Sequence, residues 1–151
     1  MQIRLAYDPA INGGNLSRNA DGSLLEDDGL ATAVYISLFT DARALPDDDV
    51  PEGASRRGCW ADAFDEDPSA VRGSRLWLLQ NATLTAQNLR RAEAYANEAL
   101  QWMVAERVAR SVSTAAVRTG LESARMVTTV MRSTDQASPY QLIWELHNAM
   151  V

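Results

Sequence analysis

The sequence predicts an α+β fold: an N-terminal hairpin and helices, followed by a small antiparallel sheet. Three patterns carry this reading. Leu89, Ala92, Ala96, Ala99, Leu100 and Met103 recur at helical spacing within residues 85–104. Tyr140, Leu142, Trp144 and Leu146 alternate with Gln141, Ile143, Glu145 and His147, a period of two that belongs to a strand. Between these, 111–117 and 124–132 are rich in Val, Thr and Ser and are separated by Gly120, which predicts a β-hairpin. Residues 1–151 read as a single domain.

The elements follow in order. Residues 2–7 alternate Ile3, Leu5 and Tyr7 with Arg4 and Ala6, the pattern of a short strand. Asn12-Gly13-Gly14-Asn15 and Asn19-Ala20-Asp21-Gly22 are turn signals that fold it into a hairpin. Glu26-Asp27-Asp28 then precede Leu30, Ala33, Val34 and Leu38. Acids in that place suit a helix N-terminus, through its dipole and a capping aspartate, and predict a helix from about Gly29 to about Thr40. Residues 41–72 hold many acids and three prolines, and predict a long acidic loop that a partner would order. Cys59, Trp60 and Phe64 are apolar anchors inside it. Gly73 to Leu79 predicts a short helix, and Thr85 is placed to cap the long one that follows.

Composition narrows the function. The chain is 46% hydrophobic and 23% charged, with a formal net charge of −6. That balance supports a real core, and the acidity disfavours nucleic acid as a partner. No apolar run reaches the ~18–20 residues that cross a bilayer, and no basic-then-apolar leader opens the chain, so the expected setting is a cytoplasm without a membrane partner. All 14 basic residues are arginine, whose planar fork suits interfaces. Charge is unevenly spread: residues 1–70 carry −9 and residues 71–151 carry +3. A dipolar subunit of this kind can meet different neighbours on different sides.

A search for chemistry finds none placed. His147 is the sole histidine and Cys59 the sole cysteine, with no nucleophile signature around either. One of each cannot build a zinc site, and the runs Asp47-Asp48-Asp49 and Asp65-Glu66-Asp67 lack the spacing of a calcium loop. Glu26 and Asp41, at the two ends of the first helix, are the least implausible carboxylate pair for glycoside cleavage. A helix of about 11 residues would hold them about 16 Å apart, too far for either mechanism. No glycine-rich phosphate loop is present. The reading is no enzyme, no cofactor and no metal.

Four stretches taken together resemble one family: residues 30–41 of the first helix, Arg56 to Asp62 in the loop, Gly73 to Leu79, and Ala94 to Trp102. Over nearly the whole chain this is similar to the small baseplate wedge protein of Mu-like contractile-tailed phages, and more distantly to the sheath initiator of T-even phages. The sequence departs from the distant relatives at Ala105-Glu106-Arg107-Val108, where they carry a Glu-Pro-Arg motif. The resemblance implies a structural subunit of the virion tail baseplate, assembled in the host cytoplasm in multiple copies around a ring. Its implied partners are other wedge proteins, the tail sheath protein and the tail tube. The residues nominated for those contacts are Arg56, Arg57, Trp60, Phe64, Arg75 and Trp102, with Thr128, Thr129 and Val130 as the place where an incoming sheath arm adds a strand. The readings set against this are a lysozyme-like, carboxylate-dependent peptidoglycan hydrolase and a cytoplasmic adaptor unrelated to phage.

Overall fold

The structure, a computed structural model, describes residues 2–3, 5–8, 10, 13–24, 26–27, 29–64, 66, 72–121, 123–132 and 140–147; for 2–3, 5–7, 13–14, 26–27 and 140–147 it describes the backbone. The predicted α+β order holds. Strand β2 (Leu5–Asp8) pairs antiparallel with β3 (Gly13–Leu16), from Leu5 opposite Leu16 to Asp8 opposite Gly13. Just before it, β1 (Gln2–Ile3) pairs with β4 (Glu26–Asp27). Glu26 and Asp27 are therefore ladder residues and not part of a helix N-terminus, which corrects the sequence reading. Asp28, the expected cap, lies outside the described residues.

Helix α1 (Leu30–Phe39) follows Gly29, whose φ of 81° turns the chain into it through the left-handed region. Its buried side, Leu30, Ala31, Val34, Tyr35 and Leu38, matches the predicted spacing. Residues 41–59 are irregular and end in a 3₁₀ turn, Trp60–Phe64. A second 3₁₀ turn, Leu76–Leu79, occupies the predicted short helix and buries Trp77. Thr85 caps α2 (Ala86–Ala99) as expected, its hydroxyl accepting the Asn88 N–H, a contribution of about 1 kcal/mol. The long helix is interrupted at Leu100, where bonds tighten to an i→i+3 pattern before α3 (Gln101–Ala105).

The C-terminal sheet is an antiparallel meander of β5 (Ala109–Arg118), β6 (Ser123–Arg132) and β7 (Tyr140–His147), in that spatial order. A register shift between Ala109 and Ser111 leaves Arg110 in a bulge. The core gathers Leu30, Val34 and Leu38 from α1, Ala92, Ala96, Leu100 and Met103 from α2 and α3, and Ala109, Met126 and Val130 from the sheet. Ala92 and Ala96 are small enough for α2 to lie close to β5. Truncating Leu100 or Met103, both fully buried, would cost about 2–5 kcal/mol.

Candidate partner-binding surfaces

The acidic loop is built around its own arginines. Arg75 sits just before the second 3₁₀ turn, and one arm of its guanidinium donates to both Asp48 carboxylate oxygens, at 2.8 and 3.0 Å. The other arm reaches Glu98 of α2 at 2.5 Å, and the planar group lies 4.5 Å from the centre of the Tyr95 ring. Asp48 also accepts the Leu45 N–H. Partial burial alone would raise the Asp48 carboxyl, yet the Arg75 hydrogen bond, the Leu45 N–H and the charges of Arg75 and Arg91 outweigh it and hold the group below its usual 3.8. Burial likewise pulls the Arg75 guanidinium down, and its bonds to Glu98 and Asp48 more than offset this, so it stays charged.

Two further arginines tie the same loop. Arg56 donates to the carbonyls of Leu45 and Pro46, while its own carbonyl accepts the Ala44 N–H. Arg57 pairs with Asp41 at 2.7 Å and lies over the Trp77 ring. Trp77 in turn donates its indole N–H to the Ala42 carbonyl. Gly73 and Ser74 close the loop across the end of α1, because the Ser74 N–H donates to Thr40 and the Ala42 N–H donates to Ser74. Arg75, 14% exposed at its side chain, clasps the loop to α2 within the chain. Arg56 and Arg57 are exposed in part but have their guanidinium groups engaged within the chain.

Trp60 and Phe64 behave differently. Each is 79% exposed, and their rings pack edge to face with centroids 6.0 Å apart. Trp102 is intermediate, since its indole N–H donates to the Ser37 hydroxyl and so ties α3 to α1, while 41% of the residue stays open.

The sheet corrects the remaining nominations. Thr128, Thr129 and Val130 lie on the central strand, opposite Thr114, Ser113 and Val112 on one side and Leu142, Gln141 and Tyr140 on the other. Their backbone groups have no edge to offer, and Thr128 and Val130 are fully buried. The outer strands are β5 and β7. On β5, the Asn97 side-chain oxygen accepts the Thr114 N–H at 2.9 Å and Glu93 accepts the Ala116 N–H at 2.7 Å. Helix α2 thus closes the middle of that edge with two side chains that lie off its apolar stripe. A count of apolar spacing cannot detect them; what marks them is that residues 93 and 97 are four apart and so share a face.

For catalysis, Asp41 is held by Arg57 and Glu26 belongs to a strand, so the pair considered from sequence is not a helix-end pair. Among the described residues, no group of three His, Cys, Asp or Glu side chains is placed to hold a metal, and no helix is long and apolar enough to cross a membrane.

Comparison with known proteins adds the family. The profile of the family described as Phage protein GP46 matches residues 30–138. The "Baseplate protein gp46" of Escherichia phage Mu is 51% identical over 81 residues, covering 53% of this chain and 54% of that protein. The "Mu-like prophage FluMu protein gp46" of Haemophilus influenzae is 43% identical over 90 residues, 60% of this chain and 58% of that protein. Each match thus spans between half and two thirds of the relative's own length. With α1, the clasped loop, α2, α3 and the first two strands of the meander all inside the matched range, the chain belongs to the phage protein GP46 family.

Proposed function

We propose that this chain is a structural subunit of a phage tail baseplate. It joins wedge proteins near the tail tube, in several copies around the ring, and starts the contractile sheath by accepting a strand at β7. The observation that carries the baseplate role is the 51% identity to the phage Mu baseplate protein. The choice of β7 is supported by the closure of the opposite edge by Glu93 and Asn97. Strand addition meets the need for one register and one polarity, since backbone groups pair whatever most side chains are. Four to six such bonds contribute roughly 2–9 kcal/mol before ordering costs.

Alternation along the ladders identifies the groups involved. Thr114 and Ala116 direct their N–H groups away from β6. By the pairing of Thr114 with Thr128 and of Thr128 with Leu142, the outward N–H groups of β7 are those of Gln141, Ile143 and Glu145. The test is Ile143→Pro in particles that still incorporate the subunit. Loss of sheath with an intact baseplate is expected; normal sheath nucleation would refute strand addition at this edge. Tails that form complete baseplates without the chain would refute the baseplate role itself.

A further inference from the structure

Strand β7 is an outer strand of the meander, and among the described residues no strand pairs with its far side. The other outer strand is guarded. On β5 the Asn97 and Glu93 side chains occupy the Thr114 and Ala116 N–H groups, and the bulge at Arg110 interrupts the ladder near its start. Strand β7 carries none of the devices that keep sheet edges apart. From Tyr140 to His147 it has no proline, arginine or lysine, and its one acid, Glu145, stands in register with Arg125 of β6. An unguarded edge of this length adds a matching strand when it meets one. In a solution of the isolated chain, that strand is the β7 of a second copy.

A two-fold pairing of β7 with itself has few registers to choose from, because outward backbone groups recur at every second residue. The alternation that directs the N–H groups of Gln141, Ile143 and Glu145 away from β6 extends to His147. Centring the two-fold axis on Trp144 sets Gln141 opposite His147 of the second copy and Ile143 opposite Glu145. The outward N–H and C=O groups of all four residues then find partners. Centring on Ile143 instead sets His147 opposite position 139, a proline with no N–H to donate. Centring on Glu145 sets two carboxylates side by side and leaves Gln141 opposite position 149, past the end of the strand. The pairing centred on Trp144 is therefore the longest ladder, and it opposes no like charges.

We propose that the free subunit pairs as a two-fold dimer through β7, centred on Trp144, so that the two meanders form one continuous sheet. The dimer covers the edge that the assembly reading gives to an incoming sheath strand, and a subunit has to leave its twin before it accepts that strand. This consequence rests on the assembly reading; the pairing itself rests on the edge alone.

The experiment uses the full chain carrying Cys59→Ser, which removes the native thiol. Sedimentation equilibrium should show a dimer. Ile143→Pro removes one outward N–H and places a ring on the edge, and should weaken the dimer by roughly a hundredfold while circular dichroism shows the fold retained. Ile143→Cys and Glu145→Cys, made in separate chains, test the register without disturbing the backbone. Facing Cα atoms of a hydrogen-bonded antiparallel pair lie about 5.5 Å apart, within disulfide reach. Oxidising a mixture of the two variants should join unlike chains, and oxidising either alone should join none. A monomer at every concentration reached, a dimer that Ile143→Pro leaves intact, or a mixture that forms no disulfide between unlike chains would each overturn the proposal. Normal sheath nucleation on particles carrying Ile143→Pro would refute strand acceptance and leave a dimer seen in solution standing, so the two readings fail separately.

Discussion

At position 73 the backbone has φ +92° and passes so near the end of α1 that a Cβ there would lie 2.2 Å from the Thr40 carbonyl oxygen. The obstacle is backbone, which cannot swing aside. Gly73→Ala is therefore expected to lower stability by about 3 kcal/mol or more, read as a shift in urea midpoint at unchanged slope. Arg75 makes a second residue-scale prediction. Arg75→Ala strands Asp48 and removes the tie between the loop and α2, at a cost of about 2–3 kcal/mol, or roughly 5–10 °C in melting temperature. The same pair sets a pH dependence. Because the folded Asp48 carboxyl lies below its usual 3.8, its contribution is fully present above that value and is lost as pH falls through the lower, folded one. Acid titration of stability should show this loss below about pH 4 in the wild type and not in Asp48→Asn. None of these contacts was legible beforehand, since nothing in sequence marks which of many acids, 27 residues away, an arginine will choose.

Elements were more legible than their partners. The apolar stripe of α2 and the alternation of β7 are periodic over many residues, and both elements formed where the pattern placed them. Glu26-Asp27 misled because a two-residue strand has no period, and its partner, Gln2-Ile3, lies far back along the chain. The task of Glu93 and Asn97 has no mark in the sequence, because a polar residue on a helix flank is ordinarily solvated and their role depends on how close Ala92 and Ala96 let α2 come to β5. Changing both to Ala should uncover the Thr114 and Ala116 N–H groups, with a loss of about 2–4 kcal/mol and faster amide exchange at those two positions. A further test lies inside the sheet, where the Thr114 and Thr128 hydroxyls meet at 2.9 Å in a buried site. Thr128→Val leaves one hydroxyl unsatisfied and should cost about 1–3 kcal/mol. Adding Thr114→Val should restore most of it, a coupling that a double-mutant cycle measures.

At the scale of the molecule, α2 is the element that joins the loop to the sheet. The acidic loop lies on the α2 side that carries Tyr95 and Glu98, while β5 takes Glu93 and Asn97 from the same helix. Of the residues nominated for contacts, Trp60 and Phe64 are the ones that lie largely exposed; arginine alone does not distinguish a partner contact from an internal tie. Purified protein is expected to leave a peptidoglycan suspension turbid over long incubation, and clearing that disappears on changing Asp41 would contradict the structural role.

The closure of the β5 edge also limits valence. A sheet with two open edges is a link, since copies can add on both sides without end and make a fibre. A sheet blocked at the middle of one edge keeps at most one uninterrupted strand-pairing edge. Two such chains can meet only β7 to β7, in a pair that closes on itself. With the middle of β5 occupied by α2, the subunit suits the end of a strand-paired polymer better than a place within it, so high concentrations of the isolated chain should yield nothing larger than a dimer through this sheet.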